Sequence, residues 1–216
     1  MDITLGGHQL RLLSSRAVWW PEQETLLVAD VHLGKDQVFR SQGLAVPSGV
    51  LQQDLDRLEV LLEETDAQRL IILGDFVHAP PRAGDRWPDE IGQWRARLAE
   101  IEMDLVLGNH DRALKDWLNQ WQIDGHAHGI ELDGLRLVHE WRPDRDQAGL
   151  SGHLHPGARI RTRREQLMLP AFLMAADHLV LPAFGRFTGL MEPVPFPTER
   201  RFVVAGRKVL ELNERR

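Results

Sequence analysis

The chain has 216 residues, 43% of them hydrophobic and 27% charged, with a formal net charge of −6 and no cysteine. A disulfide framework and a thiolate metal site are therefore excluded, and any transition-metal site has to be built from His, Asp, Glu or Asn. The acidity is uneven: residues 1–135 carry 12 Lys and Arg against 23 Asp and Glu, a net of −11, whereas residues 136–216 carry 14 against 9, a net of +5, the two summing to −6. An acidic whole argues against indiscriminate coating of nucleic acid, yet a basic C-terminal part can steer a phosphate-bearing substrate.

The opening residues, MDITLGGHQLRLL, contain neither a basic nor an apolar leader segment. No stretch approaches the roughly 18 apolar residues of a membrane span. A cytoplasmic protein that engages no membrane, folded as a single domain over residues 1–216, is expected.

In chain order, the first apolar run is TLLVAD (25–30), read as a buried strand ending in a carboxylate. Residues 48–65 read as a helix capped by Ser48, with Leu51, Leu55, Leu58 and Leu62 on one face. RLIILGD (69–75) is the next strand, and a helix over 88–101 follows with Ile91, Trp94, Leu98 and Ile101 inward. DLVLGN (104–109) is a third strand, and Leu114, Leu118 and Trp121 mark a third helix. LRLVHE (135–140) and HLVLPAFG (178–185) give two further strands, and RRFVVAGRKVLEL reads as a hairpin turning near Gly206. Trp94 and Trp121 read as core. Helices between the early strands and strand-rich sequence later indicate an α/β layered fold.

Polar residues end these strands. Asp30 and His32 follow the first in ADVHLG, Asp75 the second in LGDFVH, and Asn109, His110 and Asp111 the third in LGNHDR. His139 ends the fourth, and LSGHLHP (150–156) adds His153 and His155. Alone, LSGHLHP is more often a turn than a site. Together with the others it completes a set of carboxylate, imidazole and amide groups at one sheet edge, suited to Mn²⁺, Fe²⁺ or Zn²⁺.

DVH, GD, GNHD, a lone His and GHLH, in that order across residues 26–156, resemble the calcineurin-like metallophosphoesterases. Each part is common, but the five-part order is highly specific. Within that superfamily, WWPEQETLLVADVHLGKDQVFRSQGLAVPSG, the GDFVH variant and the late LPAFGRFTG are similar to the ligase-associated DNA damage response endonucleases of the PdeM family. The resemblance implies an α/β calcineurin-like metallophosphoesterase fold, two mixed β-sheets sandwiched by helices. It also implies two divalent metal ions, Mn²⁺ foremost with Zn²⁺ or Fe²⁺ as alternatives.

Carried over by position, the resemblance implies one metal bound by Asp30, His32, Asp75 and His155, and a second by Asp75, Asn109, His139 and His153, with Asp75 bridging. Two such cations can hold a bridging hydroxide for in-line attack on phosphorus. His110 then protonates or stabilises the leaving oxygen, with Asp111 orienting it. DNA, single-stranded or damaged, is the implied substrate, and a DNA ligase pathway the implied context. Many relatives have an aspartate three residues after the bridging one; here that place is His78, which is left without a role. His8, His126, His128 and His178 match no motif and read as surface or core histidines.

Arg159, Arg161 and Arg163 of RIRTRRE begin four residues after His155 and share a face if the segment is extended, a track for the phosphate backbone or else ordinary surface. Arg164, Lys35, Arg40 and Arg112 are phosphate contacts or surface charges on equal terms, and LPAFGRFTG (181–189) either approaches the site or forms a plain strand and turn. Two other functions compete with a DNA phosphodiesterase. One is a phosphodiesterase or phosphatase on a small nucleotide-type substrate; the other is a non-catalytic scaffold, which is expected to lose ligands, whereas here every motif position is filled.

Overall fold

The strands form two sheets that divide the chain in sequence order. The computed structural model describes residues 1–47, 49–142, 147–161, 165–192, 194 and 196–212. The first sheet holds β1 (Asp2–Leu5), β2 (His8–Leu12), β3 (Val18–Trp20), β4 (Thr25–Val28), β5 (Arg69–Leu73), β6 (Glu102–Val106) and β7 (Asp124–His126), side by side in that order. The pairings are antiparallel from β1 to β4 and parallel from β4 to β7. The second sheet holds β8 (Ile130–Leu132), β9 (Leu135–Leu137), β10 (Gly149–Ser151), β11 (Gly157–Arg161), β12 (Gln166–Ala175), β13 (His178–Val180), β14 (Arg200–Ala205) and β15 (Lys208–Leu212). Its order is β15-β14-β12-β13-β10-β9-β8, with β11 beside β12 and β10 parallel to both of its neighbours. Both sheets are mixed.

The apolar runs lack polar alternation because the central strands are covered on both faces. Leu26 and Val28 of β4, Leu70 and Ile72 of β5, and Met103 and Leu105 of β6 face the helices. Leu27, Ile71, Leu73 and Val106 face the second sheet, where they meet Leu137, Leu150, Phe172, Leu179 and Phe202. The helices α1 (Lys35–Ser41), α2 (Val50–Thr65), α3 (Trp87–Arg97) and α4 (Lys115–Trp121) all lie between β4 and β7 in sequence. Leu51, Leu55, Leu58 and Leu62 of α2, Ile91 and Trp94 of α3, and Leu118 and Trp121 of α4 bury the outer face of the first sheet. The outer face of the second is closed by a smaller cluster in which Ala158, Leu173 and Val203 pack with Trp141 and Phe196. Among the described residues no helix is long and apolar enough to cross a membrane.

Three expectations about boundaries change. The residue at the N-cap of α2 is Gly49, with φ 79°, so the helix starts at Val50; Ser48, the expected cap, lies outside the described residues. The helix expected over 88–101 stops at Arg97, where Leu98 leaves the helical conformation (φ −110°, ψ 34°) and Arg95 donates its guanidinium to the carbonyls of Leu98 (2.5 Å) and Gln122 (3.3 Å). Leu98 and Ile101 still pack on the core, from the turn that leads into β6. The strands are shorter than their apolar runs, and the polar residues of each motif lie just beyond the last paired residue. The hairpin at Gly206 is present, with the glycine at φ 59° between β14 and β15.

Candidate metal centre

Parallel strands put their C-terminal ends together, and both sheets do so at one place. Asp30 and His32 follow β4, Asp75 follows β5, and Asn109 and His110 follow β6; His139 follows β9, and His153 and His155 follow β10. Past the strand ends the backbone continues to pair: Asp30 N donates to Gly74 O (3.0 Å), His32 N to Asp75 O (2.8 Å), and Gly152 N to His139 O (3.0 Å). These straps fix where each side chain starts.

Their local backbone is strained. Asp30 (φ 52°), His32 (52°), Asp75 (49°), His153 (70°) and His155 (43°) all sit in the left-handed region. Such residues cost about 1–2 kcal/mol each and cluster where surrounding structure over-determines them, commonly at functional sites. The motif glycines have a matching reason. A Cβ on Gly74 would strike the His139 ring, one on Gly108 the Asp75 carboxylate, and one on Gly152 would come within 2.7 Å of Asp30 Oδ2. Each glycine lets one motif lie against the ligand of another.

Three groups of three residues result, Asp30 with His32 and His155, Asp75 with His139 and His153, and His32 with His78 and His110, each with candidate ligand atoms within 4.8 Å of one another. In the first, the Nε2 atoms of His32 and His155 are 3.2 Å apart, and Asp30 Oδ1 lies 3.4 Å from His155 Nε2. In the second, His139 Nε2 is 3.1 Å from both His153 Nδ1 and Asn109 Oδ1. Asp75 joins these two groups, with Oδ2 3.8 Å from His32 Nε2 and Oδ1 3.6 Å from His139 Nε2.

This donor set fits divalent cations. Asp30 Oδ1 is buried with no hydrogen-bond partner, an expensive state for a carboxylate oxygen unless a cation faces it. Burial, with His155, Lys35, His110 and His78 nearby, pushes His32 down to about 2, so its ring is neutral at ordinary pH, the form in which imidazole ligates. His139 Nδ1 lies 3.0 Å from Leu73 O and can only donate there, which leaves Nε2 as a lone pair toward Asn109 and His153.

His110 stands beside the groups. Its backbone N donates to Asp75 Oδ1 (3.1 Å), and its ring Nε2 is 3.9 Å from Asp75 Oδ2. Asp111 does not orient that ring. Neighbouring side chains diverge here, and the buried Asp111 carboxylate accepts instead from Gly108 N (3.0 Å), Phe76 N (3.3 Å) and Val77 N (3.3 Å), tying the GNHD turn to the segment after β5. Burial raises its pKa to about 6 despite those amides. His78, which sequence reasoning left aside, is part of the site. It stacks on His110 with centroids 5.2 Å apart at 24° and meets His32 edge-on at 5.5 Å. It arrives there through the Leu33–Val77 bridge, a non-local pairing with no local sequence signal.

The segment 181–189 reaches the first motif. Phe184 N donates to Ala29 O (2.8 Å) and Gly185 N to Asp30 O (3.2 Å), and Arg57 secures the segment with its guanidinium over the Phe184 ring. Arg159 and Arg161 lie exposed on one face of β11, but Arg159 is paired with Glu192 (3.4 Å), and Arg163 and Arg164 fall outside the described residues. His8 bonds Asp133 O, His126 bonds Asp104, and His178 bonds Ser151; none of them joins the ligand groups.

The calcineurin-like phosphoesterase family matches residues 24–167, and the chain belongs to that family. It is therefore a metal-dependent phosphoesterase, a hydrolase. Among solved structures it is similar to the nuclease MPE of Pseudomonas putida, with 36% identity over 98% of this chain and 99% of that one and a TM-score of 0.84. A fainter likeness, to the Escherichia coli phosphoesterase Yfce, has 15% identity over 87% and 97% of the two chains and a TM-score of 0.44, too slight to bear on chemistry. No curated protein matches the chain.

Proposed function

We propose that the protein is a two-metal phosphodiesterase that cuts DNA, an endonuclease of the DNA damage response acting in the cytoplasm in a pathway shared with a DNA ligase. The observation that carries this reading is the pair of ligand groups joined through Asp75, alongside the whole-length similarity to a nuclease. Asp30, His32 and His155 would hold one divalent cation, Asn109, His139 and His153 the other, and Asp75 both, with Mn²⁺ favoured over Zn²⁺ and Fe²⁺. When bound, the two cations supply positive charge at the phosphoryl oxygens and acidify the attacking water. His110, on a turn fixed to Asp75 and beside His78, donates a proton to the leaving oxygen. Asp111 holds the backbone that carries Asn109 and His110. Arg159 and Arg161 offer a first contact to the phosphate backbone.

The test is a screen of metal-stripped protein reloaded with Mn²⁺, Zn²⁺ or Fe²⁺, against bis-p-nitrophenyl phosphate, its monoester, and single-stranded and duplex DNA. Mn²⁺ should restore diester hydrolysis above monoester hydrolysis and DNA cleavage at internal positions. Monoester hydrolysis without DNA cleavage would favour a small nucleotide-type substrate, a second reading that the size of the cavity beside His139 supports.

A further inference from the structure

A cavity of about 470 Å³ opens at the seam where the ends of β6 and β7 meet those of β9 and β10. Asn109, His139 and His153 form one wall, so anything inside it abuts the group that Asp75 completes. The remaining lining is mixed. Leu107, Val138 and Trp141 give it apolar surface, and Arg112, Arg136 and Arg142 outweigh the single carboxylate, Glu140.

The arginines differ in how far they are satisfied. Arg136 donates to Glu131 Oε1 (2.9 Å) and His128 O (2.6 Å), yet its Nε is buried with no hydrogen-bond partner. Arg112 and Arg142 are exposed and form no hydrogen bond or ion pair among the described residues. Some arginines elsewhere are engaged, Arg57 with Asp54, Arg69 with Asp104, and Arg159 and Arg201 with Glu192, so what sets Arg112 and Arg142 apart is their place in the lining of this cavity. Exposed guanidinium groups beside a phosphoesterase centre that pair with no carboxylate among the described residues are suited to a ligand phosphate.

We propose that this cavity is the subsite for the nucleotide next to the scissile phosphate. Arg112 and Arg142 take that nucleotide's own phosphate, and the wall of Leu107, Val138 and Trp141 takes its base. The proposal rests on the nucleic-acid reading of the metal centre. The volume lies within the roughly 300–1,000 Å³ of small-molecule sites. It has room for one nucleotide, whose base would lie against Trp141 as unpaired bases lie on aromatic side chains in single-strand-binding proteins. Trp141 is braced for this by Phe196, edge-on at 5.0 Å.

The variants are the double substitution Arg112→Ala with Arg142→Ala, and Trp141→Phe and Trp141→Leu. They are measured in two ways: equilibrium binding of a labelled oligothymidylate to metal-stripped protein, and cleavage of the same oligonucleotide with Mn²⁺ beside bis-p-nitrophenyl phosphate. The double variant should bind at least about ten-fold more weakly at low salt, with a salt slope flatter by about 0.7, the value for one single-strand phosphate. Its kcat/KM for the oligonucleotide should fall about ten-fold relative to that for bis-p-nitrophenyl phosphate. Trp141→Leu should weaken binding of the oligonucleotide but not of one lacking the base at the neighbouring position, and Trp141→Phe should keep most of the affinity.

An unchanged Kd and salt slope in the double variant overturns the subsite, and so does a wild-type protein with no affinity for the oligonucleotide. The two readings fail separately. Protein that binds through Arg112 and Arg142 but hydrolyses only bis-p-nitrophenyl phosphate keeps the subsite and sinks the nuclease. Protein whose double variant cuts DNA as well as wild type keeps the nuclease and sinks the subsite.

Discussion

The two ligand groups are built from the same residue types and differ in their surroundings. Asp30 and His32 are 0% and 6% exposed, and the hollow beside them, lined by His32, Lys35 and Thr188, holds only about 10 Å³. The group of Asp75, His139 and His153 opens on the 470 Å³ cavity. The first group is thus enclosed apart from His155, whose side chain is 22% exposed, and the second forms part of a substrate-sized wall. The same residue types thus meet different surroundings, and Asp75 lies between the two groups.

Removing the residue between the two groups should have the largest effect. Asp75→Ala should lose metal from both groups, more than Asn109→Ala, and reduce affinity by more than the about 10–100-fold expected when only an outer-shell partner is lost. Elemental analysis of the two variants checks this, and equal metal content in wild type and Asp75→Ala would sink the shared role. Next in size is His110→Ala. It should retain both metals and lose about 10²-fold or more in DNA turnover. The loss on bis-p-nitrophenyl phosphate should be smaller, because a nitrophenolate leaves without being protonated. Equal losses on the two substrates would reject the proton-donor role.

The side open to the cavity also carries a titrating wall. Burial pushes His178 down to about 4 from its ordinary 6.5, so between these values the unfolded chain takes up a proton that the folded chain refuses. The contribution is fully present above pH 6.5 and is lost as pH falls through 4, by at most about 3 kcal/mol. Denaturant unfolding of metal-free protein across that range measures it, and His178→Gln should flatten the curve. A variant as pH-sensitive as wild type would place the dependence on other groups. The smallest effect is expected from Arg159→Ala with Arg161→Ala. Arg159 is already held by Glu192, so DNA affinity at low salt should drop only a few-fold, and less than on loss of Arg112 and Arg142. The reverse ranking would move the DNA path to β11.

The strand ends carrying Asp30, Asp75 and Asn109 are legible because strands buried on both faces are continuous apolar runs, and the first polar residue after each marks the sheet edge. The hairpin Asp2–Leu12 is harder to see, because Ile3, Leu5, Leu10 and Leu12 alternate with outward-facing residues around Gly6 and Gly7 and leave no continuous apolar run. The expected helix over 88–101 overshoots because Leu98 and Ile101 keep the helical spacing of core residues after the backbone has turned. Adjacency in sequence is misleading at Asp111, whose carboxylate points into the protein while its neighbour His110 points out. His78 and the cavity stay hidden because each is made by segments far apart in the chain, Leu33 with Val77 in one case and the two sheets in the other.

Five of the ligand positions have a left-handed backbone, and this limits which replacements give a clean answer. Asp, Asn and His enter that conformation more readily than other side chains, and β-branched residues enter it worst. At Asp30 and Asp75 the acceptable alphabet is therefore set twice, by ligation and by φ. An alanine there alters charge and backbone preference together. Asparagine alters the charge and leaves the turn almost untouched, so Asp30→Asn and Asp75→Asn are the substitutions that can tell what the carboxylates do from what the loops need.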